Sequence, residues 1–322
     1  TVKDTLSLHD ALPISLSGAR LLPRTTAIGL YDANVVGLYE RVTDHLPQAP
    51  DYMPRGRLRV VRPGAVILAT GAIERTVAFG DNDRPGVMLA GAMETYLRRF
   101  GVAPGRRAVL ATNNDSAYPA AAALARAGIA TTLLDARELA PPALAEAARA
   151  AGADVLADHV PLEVKGRNGV AGLEIARPAR GGHLRPERVI EADCVGVSGG
   201  WSPAIHLVCH RGVRPVWDDA LACFRADEAP EGVALTGAAA GAFSTRAAVE
   251  HARATAADAV KRLTCSRPAA PEKPAPGGWE APIRPLWEVS APGRKLKSFV
   301  DPQHDVTADD VRLAAREGYD SV

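Results

Sequence analysis

The chain has 322 residues, 47% hydrophobic and 23% charged, enough to bury a sizeable core and to form about two domains. Its formal net charge of +1, with acids and bases interleaved, offers no single-signed field to nucleic acid or to an anionic membrane, and neither is expected as a partner. No run approaches the roughly 20 apolar residues of a membrane-spanning helix, the first residues lack the basic-then-apolar order of a secretion signal, and the four cysteines, Cys194, Cys209, Cys223 and Cys265, have no paired spacing, as expected in a reducing cytoplasm.

In chain order, residues 1–15 resemble translated adaptor DNA and read as a non-native leader. Residues 25–31 read as a β segment, 35–45 as an amphipathic or extended piece, and 57–61 and 65–69 as strands. Residues 88–100 carry apolar side chains at helical spacing and stop at Gly101 and Pro104. Residues 107–112, 117–127 and 131–135 then form a β-α-β unit, which implies a parallel pair with a right-handed crossover. A helix over 138–151 and a strand over 153–156 follow, and 163–165, 170–175 and 189–192 read as a small antiparallel addition. The chain returns through an apolar strand at 193–198. A strand at 232–236, a small-residue turn at 237–241 and a helix over 244–263 complete the body. Prolines at 268, 271, 274, 276, 282 and 285 mark a linker at 266–295. Beyond it, Thr307 and Asp310 cap a last amphipathic helix at 306–317.

The chemistry-bearing segment is Val66-Ile-Leu-Ala-Thr-Gly71, a buried-type strand ending in a tight turn of small residues. Open α/β sheets bind nucleotides at the carboxyl ends of their strands, where small residues let the backbone approach a pyrophosphate. A purely structural turn is the competing reading. Its partners follow in order: Ser198-Gly-Gly-Trp-Ser-Pro203 after a second apolar strand, and Leu235-Thr-Gly-Ala-Ala-Ala-Gly241 before a long helix. This order, over residues 25–263, resembles the pyridine-nucleotide-disulfide-reductase-like superfamily. The resemblance implies an α/β fold with two Rossmann-like FAD/NAD(P)-binding domains, the first at 16–105 and 191–265, interrupted by a second at 106–190, with residues 296–322 opening a further domain.

Gly71-Ala-Ile-Glu-Arg75, Asn82-Asp-Arg-Pro-Gly-Val-Met-Leu89, Gly101-Val-Ala-Pro-Gly-Arg106, Thr112-Asn-Asn-Asp-Ser-Ala-Tyr118 and Phe299-Val-Asp-Pro-Gln-His-Asp-Val-Thr307 resemble the α-subunit family of heterotetrameric sarcosine oxidases. The resemblance implies a piece of a cytoplasmic enzyme that demethylates sarcosine to glycine, with oxygen going to hydrogen peroxide and the one-carbon unit to tetrahydrofolate. It also implies β, γ and δ subunits as partners, FAD in β, FMN between α and β, and NAD held in this subunit. An α subunit of a related opine or amine dehydrogenase or cyanide synthase, or a non-redox scaffold positioning the FMN interface, remains an alternative.

Two departures shape the expected site. An FAD site of the superfamily has a glycine-rich first turn, which would precede residue 25 and is not found, and a Gly-Asp turn whose carboxylate accepts a hydrogen bond from the ribityl chain. Here that turn is Gly237-Ala238, and alanine accepts no such bond, which argues against a catalytic flavin in this domain and fits the NAD that the resemblance implies; no catalytic residue is assigned. By motif position, Thr70, Gly71, Gly237, Ala238, Phe243 and Thr245 border it and Ala27 neighbours the adenine. In the second domain, residues 112–117 replace the glycines of a phosphate turn, and Asp115 repels a phosphate. Asp135 stands where a ribose-binding acid would sit or is simply a polar strand end. His206, Cys209 and His210 lack a second cluster that would complete a metal set and fit a helix after Pro203. Trp201 reads as a core or interface aromatic.

Overall fold

The computed structural model describes residues 18–179, 183–264, 281–290, 293–294 and 296–319. The expected leader, Cys265 and most of the expected linker lie outside the described residues. In chain order come β1 (Thr25–Leu30), β2 (Val36–Arg41), β3 (Gly56–Val61), β4 (Val66–Leu68), β5 (Ala72–Glu74), β6 (Val87–Leu89) and α1 (Ala90–Phe100). Then follow β7 (Arg107–Thr112), α2 (Ala117–Arg126), β8 (Ala130–Asp135), α3 (Pro142–Ala150), β9 (Asp154–Ala157), β10 (Val160–Lys165), β11 (Gly172–Pro178), β12 (Leu184–Glu191) and β13 (Cys194–Ser198). The rest comprises β14 (Trp201–Pro203), α4 (His206–Cys209), β15 (Pro215–Asp218), β16 (Cys223–Ala226), β17 (Val233–Leu235), α5 (Thr245–Thr264), β18 (Phe299–Asp301), β19 (Val306–Thr307) and α6 (Ala308–Arg316).

The chain divides into two compact units. Among described residues, the first takes 18–71, 203–216 and 225–264. It contains the antiparallel sheet β1-β2-β3 and the parallel ladder of β4 with β17, in which Val66 faces Val233 and Leu68 faces Leu235. Leu30, Leu68, Ile205, Val208 and Val233 form its buried core, so the strand carrying Ala27 packs against the strands that end at the two small-residue turns.

The second unit is three-layered. Its central sheet has the order β6-β13-β7-β8-β9 with parallel pairing, as the β-α-β reading implies. Side chains of β7 alternate between two cores: Ala108 and Leu110 meet α1, α2 and α3, whereas Val109 and Ala111 meet the antiparallel sheet β10-β11-β12. Leu133 and Leu134 of β8 divide the same way. Both faces being covered, these strands read as unbroken apolar runs rather than alternating ones.

Several expectations need correction. The helix expected from Met88 begins at Ala90, because Val87–Leu89 hydrogen-bonds along β13 instead. The helix expected over 138–151 starts only at Pro142, which lacks an N–H to donate and sits at the first position. The piece at 35–45 is extended, as β2. The compact units do not follow the expected boundaries at 105/106 and 190/191. Strands β6 and β13, placed by the sequence in the first domain, lie in the second unit's sheet, where β13 is paired on both edges. Residues 281–290, expected in a linker, are packed: Ile283 is 7% and Val289 3% exposed, and Val289 pairs with Ala78. The capped helix is observed as α6, with the Thr307–Asp310 capping box complete and Phe299 tied to Asn82 of the second unit.

Candidate functional site

In the first unit, β4 and β17 run parallel and each ends in a turn of small residues. After β4, Thr70 and Gly71 are held by residue 204: the Thr70 hydroxyl donates to the Ala204 carbonyl at 2.7 Å, and the Ala204 N–H donates to Gly71 O at 3.0 Å. After β17, Thr236 N–H donates to Leu68 O at 2.9 Å, which locks the two strand ends in register. Gly237 then enters a 3-10 turn (Gly237–Ala240) with φ of 62°, a left-handed conformation that a side chain resists. Around Gly71 a built Cβ meets nothing within 4 Å, and around Gly237 only Ala248 at 3.9 Å. Small residues thus leave both backbones open to approach.

The turn leads into α5, whose N–H at Ala247 is capped by Ser244 Oγ at 3.2 Å. The start of a 20-residue helix carries partial positive charge that favours phosphate. Ala238 and Phe243 are half-buried and Thr245 is exposed at this end of the helix. Ala27 is exposed on β1, and its strand reaches the same core through Leu30. All seven residues expected at the site therefore belong to the first unit. The segment from Thr236 to Thr245 contains no acidic side chain. Sequence reading missed Ala204, which fastens the first turn, and His251, which supports the second. The His251 Nδ1 is 3.1 Å from the Thr236 hydroxyl and 3.3 Å from that of Thr255, and burial pushes its pKa down. The one available signal was the i, i+4 spacing of His251 and Thr255 on a helix.

The second unit has a different strand-end chemistry. Asn114 Oδ1 accepts from the Ser116 N–H at 2.9 Å at the start of α2, and the Ser116 hydroxyl lies 2.9 Å from that of Ser198. The indole of Trp201 donates to Ser116 Oγ at 3.0 Å, and the residue is half-buried. Asp135 is fully buried, its carboxylate engaged by Arg137 and by the Tyr118 hydroxyl. The polar strand end is the reading this geometry supports.

His206 and Cys209 lie on α4, and His210 meets the ring of Tyr31 edge-on at 5.4 Å. Burial, with Asp193 beside it, pushes the Cys194 thiol up to about 12, which keeps it protonated and a poor nucleophile. Among the described residues no cluster of three His, Cys, Asp or Glu could hold a metal, and no helix is long and apolar enough to cross a membrane.

No family model matches the chain. It is 38% identical over 311 residues, 96% of its length, to the sarcosine oxidase subunit alpha of Rhizobium meliloti (strain 1021). It is also 38% identical over 334 residues, 99% of its length, to the subunit of that name from Corynebacterium sp. (strain P-1). The chain spans about a third of these relatives, 30% and 34% of their lengths. Among solved structures it is similar to the L-proline dehydrogenase of P. horikoshii, with a TM-score of 0.55 at 17% identity, covering 91% of this chain and 52% of that one. That likeness shows the fold, an α/β body built on Rossmann-like parallel sheet.

Proposed function

The chain is homologous to sarcosine oxidase α subunits over nearly its whole length, and on that premise we propose that it is the NAD-holding body of such a subunit, supporting sarcosine demethylation without carrying the site of amine oxidation. The observation that supports this reading is the pair of open turns, Thr70–Gly71 and Gly237–Ala238, fastened side by side at two parallel strand ends and followed by the start of α5. The backbone at these turns binds the pyrophosphate, and Ala238, Phe243 and Thr245 orient the nucleotide along the helix start. Bound NAD would supply a fixed, negatively charged ligand that orders the unit. No carboxylate stands at residue 238 to hold a ribityl chain, so the chain does not favour a flavin there.

In this reading FAD resides in the β subunit and FMN at the α-β interface, with γ and δ completing a cytoplasmic complex that yields hydrogen peroxide and methylenetetrahydrofolate. The identity to sarcosine oxidase subunits favours it over an opine or amine dehydrogenase or cyanide synthase. Mass spectrometry of nucleotide released on denaturing the folded protein tests it. One equivalent of NAD per chain is expected, reduced by a bulky Ala238→Trp substitution. Release of FAD from this chain, or sarcosine-dependent peroxide formation by the chain alone, would overturn it.

A further inference from the structure

The second unit has the parallel sheet and strand-end helices with which open α/β folds take nucleotides, yet at the ends of β6, β7 and β8 the polar groups are engaged by the chain itself. At the end of β6, the Gly91 N–H in the first turn of α1 donates to Glu74 Oε2 at 2.9 Å, so a carboxylate already lies at that helix start. At the end of β7, Asp115 receives Arg137 Nη1 at 2.7 Å on one oxygen and the Ala281 N–H at 3.2 Å on the other. At the end of β8, where a ribose would be held, Asp135 takes Arg137 Nη2 at 2.8 Å and the Tyr118 hydroxyl at 2.5 Å.

Across these ends lies a stretch of backbone. The Arg284 N–H donates to Asn113 O at 3.1 Å, Asn113 Nδ2 returns a bond to Arg284 O at 2.8 Å, and the Arg284 guanidinium donates to Ala136 O. Asn113 directly follows β7 and Ala136 directly follows β8. Ile283 is buried against the turn at Gly200. We propose that residues 281–284 are an internal pseudo-ligand, occupying the crevice of the second unit in place of a dinucleotide and using it to seat the C-terminal element.

Displacing the segment would leave the carbonyls of Asn113 and Ala136 without the Arg284 donors, and a pyrophosphate beside Asp115 would face a fixed negative charge whose countercharge, Arg137, is already shared with Asp135. The same stretch continues into Trp287 and Val289, which pair with Ala78, and then to Phe299, paired with Asn82. The crevice thus anchors residues 281–284, ahead of β18, β19 and α6 in the chain.

The proposal rests on the reading above only in assigning the NAD to the first unit. Hydrogen exchange on the full-length protein, alone and with saturating NAD, NADPH, ADP or FMN, tests it together with the nucleotide stoichiometry. Peptides covering 112–118 and 281–290 are expected to exchange slowly and identically under every condition. A double substitution, Ile283→Ala with Arg284→Ala, is expected to speed exchange in 281–290 and 296–319 at least tenfold without adding a nucleotide equivalent. A nucleotide that protects 112–118 while releasing 281–284 would overturn the pseudo-ligand, and unchanged exchange of 296–319 in the variant would overturn the anchoring. Absence of NAD from the wild-type protein would sink only the first unit's assignment, since the exchange result for the second unit would stand.

Discussion

Arg137 folds back two residues along the chain to grip Asp135, its Nε 3.0 and 3.1 Å from the two carboxylate oxygens and its Nη2 2.8 Å from one of them. Asp115 completes the arrangement, and the pair is almost wholly withdrawn from water, with side-chain exposures of 7% and 0%. Burial pulls the guanidinium's pKa down, but the hydrogen bonds and charges of Asp135 and Asp115 outweigh it and hold it above the ordinary value.

Replacing Arg137 by Met leaves two buried carboxylates without a countercharge. The expected cost is about 3–5 kcal/mol of unfolding free energy, read as a lower urea midpoint. Arg107→Ala removes an ion pair with Glu191 whose side chains are 51% and 78% exposed, and is expected to cost under about 1 kcal/mol. Equal losses in the two variants would show that the buried network is not an electrostatic unit.

Gly200 has φ of 105°, and a methyl group there would run into the Arg75 guanidinium and reach Ile283 at 3.0 Å. Gly200→Ala is expected to cost about 1–3 kcal/mol from strain and crowding together. Gly212→Ala, at φ of 83° with nothing within 4 Å, isolates the strain at about 1 kcal/mol. Thermal unfolding of the two variants separates the contributions.

Two carboxylates predict opposite pH slopes. The hydrogen bond from Arg294, against some cost of burial and with Lys165 adding to it, holds Glu174 down to about 2. Its contribution is complete above its ordinary value of 4.5 and is lost as pH falls toward 2. Burial raises Glu74 above its ordinary value, only partly offset by hydrogen bonds from Ser198 and Gly91. Its contribution is therefore greatest below that value and falls as pH rises through the raised one. Unfolding free energies across pH should show Glu174→Gln flattening the acid limb and Glu74→Gln removing a decline on the other side; a parallel displacement of the whole curve in both would contradict the assignments.

The capping box of α6 places Thr307 Oγ1 at 3.3 Å from the Asp310 N–H and returns Asp310 Oδ2 to the Thr307 N–H at 2.9 Å. Thr307→Ala is expected to destabilise this helix by about 1 kcal/mol, with faster hydrogen exchange confined to residues 308–316. Exchange that stays at the wild-type rate there would mean that packing, not the cap, holds the helix.

Local patterns made much of the second unit legible. The apolar runs at β7 and β8, the alanine-rich α2 and the Thr307–Asp310 pair were all readable because each depends on residues close in sequence. Met88 reads as helical because its apolar spacing suits a helix, while the pairing of Val87 with Val195 and Leu89 with Val197, which makes it a strand, involves partners over a hundred residues away. The compact units depart from the expected boundaries for the same reason: nothing near β13 announces that both its edges are taken by β6 and β7.

At the candidate site, the sequence by itself determined the residue types: small, uncharged positions at 70–71 and 237–238, with no acid in the second turn. It also determined that residues 112–117 lack the glycines of a phosphate turn. Only the tertiary structure decided that Ala204 fastens the first turn, that Arg137 neutralises Asp115 and Asp135 at once, and that residues 281–284 return to the strand ends of the second unit. Residue type sets what a position can bond to, but which donor arrives depends on contacts such as Thr70 with Ala204 and Asn113 with Arg284, formed across 134 and 171 residues of chain. Such contacts form only when burial of the surrounding core offsets the entropy of closing the loops between them.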